Sequence, residues 1–325
     1  MIPLHAKFVK KTRRHAGNEM NVDFTDKIKY DGESQTVRPV RPGKEVTMAF
    51  YRLVTDSCCE LVPALKTRLH AEQAPLTMLL DGVSYTDDET LDRDRFLAAM
   101  KASRSAPKSA CPSPDCFARL FSGEGDVFAV TISSKLSGSY NSAQIGRTLA
   151  LAARPNQKIH VFDSCSASAG ELAVSLRIAE YVQAGLGFDE IVSKTEAFIR
   201  GMRTFFIAES LDTLIKSGRM GRITGYVASA MSLRPIMTAD HGEIKLYEKA
   251  RGSVRAFTRL VDIIGECSAD LSKRTLVVSH CHNERQAAFV AAEARRRYPF
   301  RDVVVVPTGG LSSMYVNSGG VIIAF

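Results

Sequence analysis

The 325-residue chain contains no tryptophan, and no run approaches the roughly 20 apolar residues that a bilayer-spanning helix needs. Its basic N-terminus lacks the apolar segment of a secretory signal. The expectation is therefore a cytoplasmic protein without stable membrane insertion. There is no C-x-x-C pair, and the seven cysteines, at 58, 59, 111, 116, 165, 267 and 281, are odd in number and unevenly spaced. That excludes a regular disulfide framework and fits scattered reduced thiols. Cys111 and Cys116 lie five apart and Cys281 sits between His280 and His282, but without close ligand pairs no metal site is expected. Neither G-x-x-x-x-G-K-[ST] nor a post-strand G-x-G-x-x-G occurs, so no nucleotide cofactor is expected. Internal repeats and low-complexity tracts are also missing.

Charge of one sign is scarcer than the total of +8 suggests. Residues 1–47 hold ten Lys/Arg and six Asp/Glu, leaving only +4 for the other 278 residues. With no dense basic patch interleaved with aromatics, nucleic acid is not an expected partner. A small anionic ligand or an acidic partner suits the mild excess. Residues 1–47 are polar, without helical or strand periodicity, and read as a disordered basic extension. Gly43–Met48 could be encoded by a ribosome-binding sequence ahead of a start codon, which makes residues 1–47 a translated leader and Met48 the expected start.

From Phe50 onward short apolar strands alternate with helices. Strands are predicted at 50–55, 76–80, 126–132 and 159–162. A helix is predicted from Ser57 to about His70 and another from Ser139 to about Ala152. Ser113-Pro114 opens a helix with a cap residue and a proline at its first position. Ser168 and Glu171 form a capping box for a long helix stopping near Gly185. This alternation implies βαβ units and a mostly parallel sheet. After about residue 200 the rhythm changes. Asp240-His241-Gly242 between two strands signals a hairpin, helices are predicted at 223–233, 253–265 and 284–297, the last with Asn283 and Gln286 as a capping pair, and a strand closes the chain at 320–324. The fold class is α/β in two domains: residues 48–200 with a parallel sheet, residues 201–325 mixed α+β, and a ligand between them.

In open parallel sheets ligands bind beyond the carboxyl ends of the strands, near helix N-termini. Three polar turns meet that description: Thr55-Asp56-Ser57, Ser133 through Ser139, and Asp163-Ser164-Cys165-Ser166. The second holds four hydroxyls and a lysine in seven residues, which suits an anion as well as it suits simple helix capping. No G-x-S-x-G elbow and no placed acid–base pair occurs, so no catalytic residue is assigned. The acids of 87–92 read as a solvated loop ahead of a helix.

These turns also carry a resemblance. Ile132–Tyr140, Val54–Ser57, Lys108–Ser113, Phe162–Ser164 and Ser217–Met220 follow one another as in the DegV family of fatty-acid-binding proteins, and Gly319–Phe325 resembles the family's terminal strand. The resemblance implies two α/β domains enclosing a long-chain fatty acid, whose carboxylate is held by hydroxyls. By position the ligand residues are Ser109, Ser133 and Ser134. The family's implied partner is a fatty acid kinase catalytic subunit that phosphorylates the presented acid, with Arg219 at the docking turn. Ala110 and Cys111 depart from the family's Ser-Gln, Tyr315 stands where a His is common, and Asn317 replaces a Gly. Tyr315 remains a ligand residue, because a phenol donates a hydrogen bond although it carries no positive charge. The competing expectation is a phosphotransferase or hydrolase on a related scaffold, using Asp56 and the 87–92 acids.

Overall fold

The computed structural model describes residues 51–220, 233–267 and 270–325. The expectations for residues 1–47 and for Met48 as a start lie outside them, as does most of the helix expected at 223–233.

In chain order the elements are β1 (Tyr51–Asp56), α1 (Pro63–Arg68), β2 (Ala71–Ala74), β3 (Thr77–Leu80), β4 (Val83–Thr86), α2 (Arg93–Ala102), β5 (Lys108–Ala110), α3 (Pro114–Phe121), β6 (Asp126–Thr131), α4 (Ser139–Ala153), β7 (Ile159–Asp163), α5 (Ala169–Gln183) and α6 (Phe188–Gly201). They continue as β8 (Thr204–Ile207), α7 (Asp212–Lys216), β9 (Leu233–Asp240), β10 (Glu243–Arg251), α8 (Ser253–Cys267), β11 (Thr275–His280), α9 (Glu284–Arg297), β12 (Asp302–Pro307), α10 (Gly310–Val316) and β13 (Val321–Ala324). The class is the expected one: a four-stranded sheet in the order β2-β1-β6-β7 and a six-stranded sheet in the order β10-β9-β8-β13-β11-β12. The first is parallel throughout. The second is antiparallel except for β11 against β12. A small antiparallel sheet, β4-β3-β5, accompanies them.

The two large sheets meet through α5. All eleven residues from Ala169 to Ala179 are buried, the mark of a helix covered on every side, and it packs on β6 as well as on β11 and β13. The peripheral helices bury one stripe only; in α9 this is Ala287, Val290, Ala291 and Ala294, spaced to share one face. Ser113 caps α3 as expected, its hydroxyl accepting the Cys116 N–H at 3.2 Å with Pro114 in the first turn. The hairpin is also in place: His241 and Gly242 both have positive φ, 49° and 84°, the two-residue turn that matches strand twist.

Several local expectations need correction. The helix after Asp56-Ser57 begins only at Pro63, because Ser57 and Asp56 spend their side chains on neighbouring turns. Ser168 does not form a capping box with Glu171; its hydroxyl reaches other chain segments instead. Asn283 caps nothing with its side chain, whose amide donates to the Gly319 carbonyl at 2.6 Å. Leu233, expected to end a helix, opens β9. Asp87, expected in a solvated loop, is buried.

Candidate functional site

The carboxyl ends of β1, β6 and β7 deliver the three polar turns to one edge of the parallel sheet, and hydrogen bonds tie them together. Asp56 Oδ2 accepts the Ile132 N–H at 3.0 Å. The Ser133 N–H donates to the Ser166 carbonyl at 2.8 Å. Asp163 Oδ1 accepts both the Ser134 N–H at 3.2 Å and the Cys165 N–H at 3.0 Å. Polar backbone that a parallel sheet leaves open at its edge is thus satisfied by short side chains.

Facing this edge is a narrow, mostly apolar cleft between the two large sheets. Ile132, Leu136 and Leu76 line it on the side of the first sheet, and Phe206, Ile244 and Ile322 on the side of the second. Ser109 and Tyr315 both belong to its wall, and the Ser109 Oγ lies 3.1 Å from the Tyr315 Oη, either being able to donate. Ser109 is held by β5, where it pairs with Met78 of β3. Tyr315 is held by α10, which ends at Asn317 with φ 59° and ψ 169°, a conformation that side chains adopt at a cost of about 1–3 kcal/mol.

The other expected residues have different surroundings. The buried Ser133 donates its hydroxyl to the Gly242 carbonyl at 2.8 Å, so the tip of the β9–β10 hairpin is fastened to the serine turn. The fit is close: a Cβ on Gly242 would meet the Ser133 Oγ, and would stand 3.4 Å from Lys135 and 3.5 Å from Cys165. Ser133 and Ser134 are not among the residues lining the cleft, whereas Ser137 of the same turn is. Arg219 is half-buried and lines the cleft; its Nε donates to the Leu136 carbonyl at 3.3 Å and its Nη1 to the Ser217 carbonyl at 2.8 Å.

Sequence reasoning missed Ser166, Ser168, Thr204 and Ser312, which also line the cleft. Their hydroxyls are engaged: Ser166 with Thr204 at 2.8 Å, Ser168 with Ser279 at 2.8 Å and, as donor, with Glu60 Oε1 at 2.6 Å. Ser166 lay in a turn already singled out, but nothing in the sequence marked Thr204 or Ser312.

A second, larger and more open groove has Glu60, Asp87, Asp88, Glu89, Asp92 and Asp94 on its wall. So many acids repel an anionic ligand, and the smaller apolar cleft is the better candidate despite its size. Asp56 and Asp87 are also spent as hydrogen-bond acceptors inside the fold. Burial outweighs those bonds and raises the pKa of both, Asp87 to about 6. Among the described residues no helix is long and apolar enough to cross a membrane.

The site is thus a mostly apolar cleft between two sheets with a hydroxyl pair on its wall. The chain belongs to the DegV family: the family model described as an uncharacterised protein of the DegV family matches residues 51–325. A DegV domain-containing protein of Streptococcus pneumoniae is 32% identical over 281 residues, 85% of this chain and 98% of its own. Among solved structures, a DegV family protein from Ruminococcus gnavus with vaccenic acid superposes with a TM-score of 0.80 at 34% identity, covering 85% of this chain and 99% of that one. The fatty acid kinase B3 protein of Streptococcus pneumoniae, loaded with linoleic acid, gives a TM-score of 0.78 at 31% identity over 85% and 98% of the two chains.

Proposed function

We propose that this protein is a cytoplasmic carrier that holds one long-chain fatty acid in the cleft, with the carboxylate at Ser109 and Tyr315. The observation that carries the proposal is the Ser109–Tyr315 hydroxyl pair, the two groups 3.1 Å apart on the wall of a mostly apolar cleft. Two hydroxyls that bond one another can both turn their protons to an anion. The serine turn supports the same end of the ligand through Ser137, with Ser133 fastening the turn. The acyl chain supplies the affinity, since each buried methylene contributes about 0.8 kcal/mol before ordering costs.

The carrier does no covalent chemistry of its own in this reading. The likeness to a fatty acid kinase B3 protein supports a second step, in which the bound acid is presented to a fatty acid kinase catalytic subunit. Arg219, half-buried on the turn after α7 and reaching the serine turn, is the docking residue we assign. A hydrolase or phosphotransferase would use Asp56 with the 87–92 acids; Asp56 and Asp87 are buried, and the exposed Asp88, Glu89 and Asp92 line the second groove rather than the apolar cleft.

The test is native mass spectrometry of the purified full chain, with its acid–solvent extract analysed for lipids. A stoichiometric fatty acid, lost in a Ser109→Ala/Tyr315→Phe variant, is the expected result. An empty protein that takes up neither palmitate nor oleate overturns the reading. Co-purification with a kinase catalytic subunit, weakened by Arg219→Ala while lipid content stays the same, checks the second step.

A further inference from the structure

Four carboxyl groups are buried together where the proposed ligand site makes no use of their charge. Asp56 and Glu171 are fully buried, and Glu60 and Asp87 are only 3% and 6% exposed. Two of them turn toward a single element. Glu60 Oε2 accepts the Gly309 N–H at 2.5 Å, while Asp87 Oδ1 accepts the Gly310 N–H at 2.8 Å and Asp87 Oδ2 the Leu311 N–H at 3.1 Å. These are the N–H groups at the start of α10 that a helix leaves without partners of its own. The same helix carries Leu311, Ser312 and Tyr315 into the cleft wall. Glu60 also accepts the hydroxyl of Ser168, another cleft-lining residue, at 2.6 Å. The glycines let the acids in this close: a Cβ on Gly310 would stand 2.5 Å from Asp87 Oδ1 and 2.8 Å from Met78, and one on Gly309 would stand 3.3 Å from Glu60 Oε2.

The groups that face the pair come from every side. At the end of β1 stands Asp56, whose charge works against ionisation of Asp87. From α5 comes Glu171, with no donor to either oxygen among the described residues and pushed well above the usual range by burial and by Asp56. The thiols of Cys58 and Cys59 are held protonated by burial and by the same acids. At the start of α2, Arg93 donates to the Thr308 carbonyl at 2.6 Å, and burial pushes the buried His280 of β11 below the usual imidazole range. Solvent comes close through the acidic groove, which has Ser57, Glu60, Asp87, Gly309 and Gly310 on its wall.

We infer that Glu60 and Asp87 are positioning residues that make the seating of α10, and with it the placement of Tyr315, dependent on protons. The amide and hydroxyl donors favour the ionised acids, but burial is the larger influence and pushes Glu60 up to about 7 and Asp87 up to about 6. The seated helix therefore holds protons that an unseated one, with its acids in water, releases at their ordinary values of about 4.3 and 3.9. Raised acids contribute most below their unperturbed values, and that contribution is lost as pH rises through the seated values. Unseating becomes easier between about pH 4 and 7 and levels off above. For the fatty acid this means faster release at neutral than at acidic pH, a consequence that rests on the proposed function.

The test is hydrogen exchange of the full chain without ligand at pH 5.5 and 7.5, corrected for the intrinsic exchange rate, reading peptides that span 309–317 against peptides from β11. The expected result is protection of 309–317 lower at pH 7.5 by about tenfold or more, since each raised group contributes up to a factor of ten per pH unit within its window. That dependence flattens in Glu60→Gln and in Asp87→Asn, each of which removes one titrating group, with one of its two acceptor oxygens becoming a donor. Equal protection of wild type at both pH values, or the same loss in both variants as in wild type, overturns the inference. A second arm follows release of a fluorescent fatty acid at the two pH values. If the exchange result holds but no fatty acid is bound, the proposed function fails and the proton-linked helix stands.

Discussion

The hydroxyls of Ser109 and Tyr315 come within 3.1 Å of one another across 206 residues of sequence. One is carried by the short edge strand β5 and the other by α10, so the pair exists only when the small sheet and the C-terminal helix are both docked. In the function proposed above, the same pair holds the ligand carboxylate.

If the pair acts as a unit, Ser109→Ala and Tyr315→Phe should each weaken fatty-acid binding by about 1–2 kcal/mol, or roughly five- to thirtyfold. The double variant should lose less than the product of the two, because residues in contact are not additive. Titration calorimetry with oleate on the four proteins measures the coupling; strict additivity would mean that the hydroxyls act on the ligand separately.

Ser133→Ala probes a different role. Its hydroxyl is spent on the Gly242 carbonyl, so its loss should lower stability by about 1–3 kcal/mol through an unsatisfied buried carbonyl. Oleate affinity should fall less than in Ser109→Ala. Urea unfolding beside calorimetry separates the two effects, and an affinity loss as large as that of Ser109→Ala with unchanged stability would make Ser133 a direct ligand.

Gly310→Ala should be among the more damaging small substitutions. Its methyl group would meet Leu91 and stand 2.5 Å from Asp87 Oδ1, and overpacking of this kind costs about 1–3 kcal/mol. A drop in Tm of several degrees is expected, while Gly187→Ala, where nothing lies within 4 Å of the new methyl, should leave it nearly unchanged.

Asn317→Gly should do the reverse. Asn317 holds φ 59° and ψ 169° at the end of α10, a region that glycine occupies freely and other residues at a cost of about 1–3 kcal/mol. Against this stands the larger entropy of an unfolded glycine, about 0.4–1 kcal/mol. A net gain of about 1 kcal/mol in urea unfolding is expected, and a loss would show that the Asn side chain makes up for its backbone.

Much of this protein could be read from the sequence. The alternation of apolar runs and helices determined the α/β class, Ser113-Pro114 marked the start of α3, and Asp240-His241-Gly242 marked the hairpin, because each depends on local periodicity or on turn chemistry confined to a few residues. The polar turns after β1, β6 and β7 were legible for the same reason, since a parallel sheet must deliver its strand ends to one edge. Ser168 and Glu171 show where such reading stops. Their spacing is that of a capping box, yet the Ser168 hydroxyl bonds Glu60 and Ser279, 108 and 111 residues away. Only the tertiary structure decided which hydroxyls line the cleft, that Ser133 faces the hairpin, and that Asp87 is buried against α10. Burial and long-range partners follow from how the two sheets pack around α5, and no spacing within a single segment encodes that.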